Sequence, residues 1–272
     1  MRGVSRDSLA RAHGEVDRLV EDSAPDALRS VAGELFAVVH LLATEARLRR
    51  VVSDPAVAAD QRAGLLTDVL AERVSMRALQ VAEVLVRSPW SVPRDLVDAA
   101  DEIAAGVLFA AEEKDDALDE VEDELFRFAR ILEREPTLRS ALTDPSLPRE
   151  RKQSLLDELL HGKVRPATEA LVTEVALFAR GRTIDRGLEE YGRLAAARRE
   201  RLVARVTTAV PLTEEQQSRL SSTLAAQLGH QVHLNLEIDP HLVGGITVRV
   251  GDELYDGSVV HRIAEARRLM TG

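Results

Sequence analysis

Up to about Arg201, apolar residues recur at spacings of three and four, the signature of amphipathic helices. In Leu28 to Leu48, the residues Leu28, Val31, Leu35, Val38, Val39 and Leu42 share one helical face. Asp54-Pro55 and Asp144-Pro145 stop helices, because the residue before proline is pushed out of the α region. New helices follow at Gln61 to Leu70 and Arg151 to Leu160. Near Leu202 the period changes. "LVARVTTAV" alternates as a strand does. "PLTEEQQSRLSSTLAAQLG" predicts a helix with Thr213 as N-cap, Gln216 as its capping-box partner and Gly229 as its end. "QVHLNLEID" sets Val232, Leu234, Leu236 and Ile238 on one face of a second strand. "GGITVRVGDELYDGS" predicts another strand, a turn at Gly251-Asp252 and a short last strand, before a final helix from about Val259 to Met270.

The helical part repeats itself. Glu34–Leu70 aligns without a gap on Glu124–Leu160, and twelve of the 37 positions are identical, which is well above chance for such helices. The identities include the Glu-Leu-Phe triplet, Glu45/Glu135, Leu48-Arg49/Leu138-Arg139, both Asp-Pro pairs and both Leu-Leu pairs. With a two-residue shift, "RALQVAEVLV" (Arg77 to Val86) then lies over "EALVTEVALF" (Glu169 to Phe178). Two copies are too few for a solenoid. The fold class expected is mainly α: two tandem related helical bundles, 1–110 and 111–201, followed by a small α+β C-terminal module, 202–272.

Composition narrows the function classes. The apolar fraction of 45% can supply a core, and aromatics at 3% leave Ala, Leu and Val to build it, which suits packed helices. The formal charge of −10 argues against nucleic acid as a partner, since counterion release needs a cationic face. No cysteine is present, which excludes disulfides, thiolate catalysis and Cys-ligated zinc. The N-terminus lacks a signal-peptide core, and runs such as Ile103 to Ala111 fall far short of the roughly 20 residues needed to span a bilayer. A soluble chain is expected, meeting a membrane only indirectly, through its partners.

No phosphate loop, GxGxxG, HExxH or GxSxG is present, and no catalytic or cofactor-binding residue is assigned. Glu112, Glu113, Asp115 and Asp116 read either as a metal site or, the bland alternative, as a solvated acidic join. Without defined ligand spacing, no metal is expected. His230 and His233 are close in sequence but span a helix end and a strand. Arg180 to Thr183 ("RGRT") reads as an anion site or as a helix end that turns at Gly181. Arg193, Arg198, Arg199, Arg201 and Arg205 form a basic stretch, either a solvated face or a seat for an acidic partner helix. Trp90, in "RSPWSVP", is a docking anchor or a cap on the local core. The profile is that of an interaction or structural protein.

The tail resembles the C-terminal region of the δ subunit of bacterial F-type ATP synthases, the family of the oligomycin-sensitivity-conferring protein. The carrying residues are Asp239-Pro240, Gly244-Gly245-Ile246, Arg249-Val250-Gly251-Asp252 and Asp256-Gly257-Ser258. The helical part resembles that family's helical domain, in the actinobacterial-like form where the domain is duplicated. The resemblance implies a non-catalytic stator subunit that links the catalytic head to a b-type stalk and resists rotor torque, at the cytoplasmic face of the membrane. It implies a groove for the N-terminal helix of an α subunit, lined by Leu9 and Leu19 of the opening helix and by Leu79 and Val86, or by Leu171 and Phe178 in copy two. Copy two keeps the family's Gly181-Arg182 after that helix, where copy one has "SPW", so either copy can claim the groove. The module carrying Asp239 to Gly257 would hold the stalk. The competing class is a helical adaptor for unrelated partners.

Overall fold

The computed structural model describes residues 3–21, 23–201, 203–228, 233–239, 242, 245–250 and 253–256. The chain divides into two compact units, Met1–Ala195 and Ala196–Gly272.

The helical unit is built on a period of ninety residues. Helices α1 (Val4–Glu21), α2 (Pro25–Thr44), α3 (Ala46–Ser53), α4 (Ala59–Leu70) and α5 (Met76–Arg87) come first. Then α6 (Pro93–Lys114), α7 (Leu118–Arg134), α8 (Pro136–Thr143), α9 (Arg149–Leu160) and α10 (Pro166–Leu177) repeat them, and α11 (Ile184–Arg201) begins the cycle again. The starts of α3 and α8, of α4 and α9, and of α5 and α10 are each 90 residues apart. Helix α6 therefore closes the first copy and opens the second. The expected two-residue shift does not occur: Val81, Ala82, Leu85 and Val86 are buried in α5, and Leu171, Val172, Val175 and Ala176 are buried ninety residues on.

Leu28 to Leu48 is not one helix. The chain breaks at Glu45 (φ −87°, ψ 82°), and its counterpart Glu135 (φ −117°, ψ 77°) breaks the second copy just before Pro136. The Asp-Pro pairs end α3 and α8 as expected, with Asp54 and Asp144 extended. Each aspartate then accepts a backbone N–H two residues on, from Ala56 at 2.9 Å and Ser146 at 2.8 Å, closing an Asx turn. The repeated Glu of the Glu-Leu-Phe triplet caps the fifth helix of its copy. Glu34 accepts from the N–H and hydroxyl of Ser75, and Glu124 from the N–H of Arg165 and the hydroxyl of Thr168. A carboxylate there satisfies orphan donors and complements the helix dipole.

Buried side chains of both copies, from Ala12 to Ala195, form one apolar cluster. Among the described residues α2 alone is long and apolar enough, by length and composition, to cross a membrane, but eight of its residues lie buried in this core.

In the second unit, β1 (Val203–Thr208), α12 (Glu214–Leu228), β2 (His233–Ile238), β3 (Ile246–Val250) and β4 (Glu253–Asp256) follow one another. The sheet order is β2-β1-β3-β4, with β1 parallel to β2 and antiparallel to β3. Thr213 and Gln216 form the expected capping box, each donating an N–H to the other's side chain. Ala204, Val206, Val248 and Val250 pack with Leu224 of α12. Gly229, the Gly251-Asp252 turn and the final helix lie outside the described residues.

Candidate partner-binding surfaces

In copy one, α1 is pinned by its serines. Buried Ser5 donates to Asp95 and accepts the Ser91 N–H, and buried Ser8 donates to the Pro89 carbonyl at 2.6 Å. The "SPW" segment thus anchors the opening helix. Trp90 is buried with its indole N–H on the Leu85 carbonyl at 2.7 Å, so it caps the core and is not an exposed anchor. Arg62, itself buried, donates to the carbonyls of Arg87 and Ser88 and so closes α5. Between α1 and α5 lies an open cleft of about 220 Å³, lined by Glu15, Arg18, Leu19, Ser23, Arg77, Gln80 and Val81. Leu9 and Leu19 are half-buried against the core, and Leu79 and Val86 are buried within it.

In copy two the corresponding seam is occupied from within. Leu171 is fully buried. The Phe178 ring stacks on His40 of α2, centroids 3.5 Å apart, and Arg149 lies over it at 4.8 Å. His40 Nε2 is 2.7 Å from Glu174, which also pairs with Arg180. Buried Asp101 of α6 accepts from Arg180 (2.6 Å), Arg182 (2.6 Å) and the Tyr191 hydroxyl (2.7 Å). Burial is the largest single influence and would weaken the charge on both arginines, but Asp101 together with Tyr191 and with Glu174 at Arg180 or Glu190 at Arg182 outweighs it and raises both above the usual arginine range. Burial likewise pushes Tyr191 well up. "RGRT" is therefore a helix end whose arginines turn inward. Arg180 (φ 47°) and Gly181 (φ 77°) both adopt the left-handed conformation, which aims both guanidinium groups at one carboxylate.

The acidic join is likewise internal at its start. Glu112 is fully buried and bridges Arg29 of α2 (2.8 Å) and Arg165 before α10 (2.7 Å), while Asp115 also pairs with Arg29. Among the described residues no group of three or more His, Asp or Glu is placed to hold a metal. Both ion-pair clusters tie α2 of copy one to copy two.

The matching family model and full-length relatives agree on one family. Residues 104–270 match the family model described as ATP synthase delta (OSCP) subunit. Proteins named ATP synthase subunit delta from Streptomyces griseus and Thermobifida fusca are 44% and 46% identical to the chain, each over 100% of both sequences. The chain belongs to the ATP synthase delta (OSCP) family. A chain in the cryo-EM structure of the Toxoplasma gondii mitochondrial ATP synthase hexamer is also similar, at 21% identity and a TM-score of 0.32, over 62% of this chain and 95% of that one. The delta (OSCP) family match begins inside α6, where the second ninety-residue copy begins.

Of the delta-family tail motif, Asp239 donates its N–H to Thr208 at 3.0 Å, extending the β1–β2 edge. Gly245 has φ 87° at the start of β3, a conformation that favours glycine. Arg249 is exposed and directly opposite exposed Arg205 across β1 and β3. Leu236 and Ile238 are exposed although they share a face with Leu234, which packs on the core. Asp256 ends β4. Pro240, Gly244, Gly251, Asp252, Gly257 and His230 lie outside the described residues. Sequence reasoning missed Asp101, Glu174, His40 and Tyr191, and singled out Arg180 and Arg182 only within "RGRT", without their partner. The one signal was Asp101, a charge amid the apolar residues of α6.

Proposed function

We propose that the chain is the non-catalytic peripheral-stalk subunit of an F-type ATP synthase, holding the catalytic head through its helical unit and a b-type stalk through its α+β unit. Family membership supports the peripheral-stalk role. The working division is 1–110 for copy one, 111–201 for copy two and 202–272 for the stalk-binding module. On this reading copy one takes the N-terminal helix of an α subunit, a helix-in-groove contact. One observation carries that choice: the α1–α5 cleft is open, whereas Phe178 and Glu174 of copy two are engaged by His40 of α2. Exposed Leu236 and Ile238 on one face of the sheet and Arg205 and Arg249 on the other offer the stalk apolar and cationic contacts. The complex places the chain at the cytoplasmic membrane face through its partners alone.

Gln80 and Ala170 occupy equivalent exposed positions and make a matched pair for testing. Titration calorimetry with a peptide of the α-subunit N-terminus should show Gln80→Trp weakening binding about ten-fold or more, worth about 1.4 kcal/mol, with Ala170→Trp unchanged. The reverse result moves the seat to copy two. Unchanged binding in both variants rejects the groove.

A further inference from the structure

The repeated Glu-Leu-Phe triplet places an identical phenylalanine in two opposite settings. Phe36 is 7% exposed and Phe126 is 64% exposed. Phe36 lies on the stripe of α2 formed by Arg29, Gly33, Phe36 and His40, spaced four, three and four apart on one helical face. Both ends of that stripe meet helices that follow α2, for Arg29 pairs with Glu112 of α6 and His40 with Glu174 of α10, while Gly33 between them stays exposed. Its counterpart on α7 is Asp119, Asp123, Phe126 and Arg130, and all four are exposed. The geometry points to a docking face for a basic amphipathic helix of another ATP synthase subunit, seated along α7 with Phe126 as its anchor.

The charge pattern selects this occupant. Copy one presents a cation, Arg29, and its covering helix supplies the anion Glu112. Copy two reverses the sign, with Asp119 in place of Arg29 and Asp123 in place of Gly33. Exposed Asp116 lies close by in sequence, as do Asp115 and Glu120, which also face Arg29 and Arg165. Asp123 pairs with Arg127, itself exposed, one turn on along the same helix, a surface pair that leaves both groups wet. A helix lying over the first two turns of α7 would therefore carry Lys or Arg there. Small apolar residues would meet Phe126, an aromatic of the kind that anchors interfaces. The solvated acidic face after Glu112 thereby acquires a role.

This inference rests on the chain being part of the synthase, and its test separates the two. A photoreactive benzoylphenylalanine is placed at position 126, and the chain is purified within the assembled enzyme. Ultraviolet irradiation and mass spectrometry should map an adduct to a net-basic helical segment of another subunit. The adduct should fall about ten-fold when Asp119→Lys and Asp123→Lys are combined. An adduct within the same chain (residues 257–272 included), on a second copy, or on a neutral or acidic segment overturns it. So does no adduct, or one indifferent to the lysines. Absence of the chain from the purified enzyme rejects the proposed function instead. Phe126→Ser should melt as the parent does, and should raise the rate at which the chain leaves the enzyme; an unchanged rate overturns the docking face.

Discussion

Replacing Asp101 by alanine removes one carboxylate that three donors share, leaving Arg180 with Glu174 and Arg182 with Glu190. Arg180 and Arg182 each give one arm to Asp101 at 2.6 Å, and the Tyr191 hydroxyl gives the third bond. Asp101 is 2% exposed and Tyr191 1%, so water cannot take its place without opening the packing. Breaking a buried ion pair from one side costs roughly 3–5 kcal/mol; Glu174 and Glu190 still offset part of the arginine charge, but one arm of each guanidinium and the buried Tyr191 hydroxyl lose their acceptor. For a unit of this size each kcal/mol moves the melting temperature by about 2–4 °C, so a drop of about 6–20 °C is expected. Urea unfolding followed by circular dichroism at the helical band measures the first quantity, and a thermal scan the second. Asp101→Asn, which keeps acceptors for Tyr191 and one arginine, should lose less. Native-state hydrogen exchange should show α10 and the start of α11 opening before α4. A loss below about 1 kcal/mol for Asp101→Ala would falsify the view that this carboxylate ties copy one to copy two.

Three further expectations follow from local geometry. A Cβ on Gly187 would stand 2.5 Å from Val175 Cγ1, so Gly187→Ala should destabilise by about 1–3 kcal/mol, and Val175→Ala added to it should recover part of that loss if the contact is the cause. Glu124→Ala should cost about 1–3 kcal/mol by leaving the Thr168 hydroxyl unpaired in the core, and Glu34→Ala less, since its bonds to Ser75 are exposed; equal losses in urea melts would contradict this. Burial raises Asp98 above the usual carboxylate range, with Arg94 and Arg182 opposing. A raised acid binds its proton more tightly folded than unfolded. Its stabilising effect is thus full below the ordinary carboxylate value and is lost as pH rises through the raised one. Asp98→Asn should gain stability relative to the parent at pH 7, with the gain fading at acid pH, and a gain that grows on acidification would refute the assignment.

Local chemistry was legible in the sequence because it acts within a few residues. The Asp-Pro stops, the Thr213/Gln216 capping box and the strand alternation of Val203 to Thr208 each depend on neighbours in the chain. The duplication was legible because Leu66/Leu156 and Leu70/Leu160 keep the same buried positions in both copies. The break at Glu45 escaped notice, since the apolar spacing runs through it without interruption. The groove residues were legible only by analogy. The analogy did not show that Val86 and Leu171 point into the core or that His40 stacks on Phe178. His40 and Phe178 meet across well over a hundred residues, and nothing local to either one announces the other.

Helix α6 does the work of both a last and a first helix, and this sets the rule by which such a chain can be shortened. Any cut that removes ninety residues between equivalent points, for example joining Glu45 directly to Pro136, hands the place of α6 to α1 at one end and to α11 at the other. The product keeps every turn and both helix caps of a single repeat without any designed linker. The length of the lever is thereby separable from the way its ends are built.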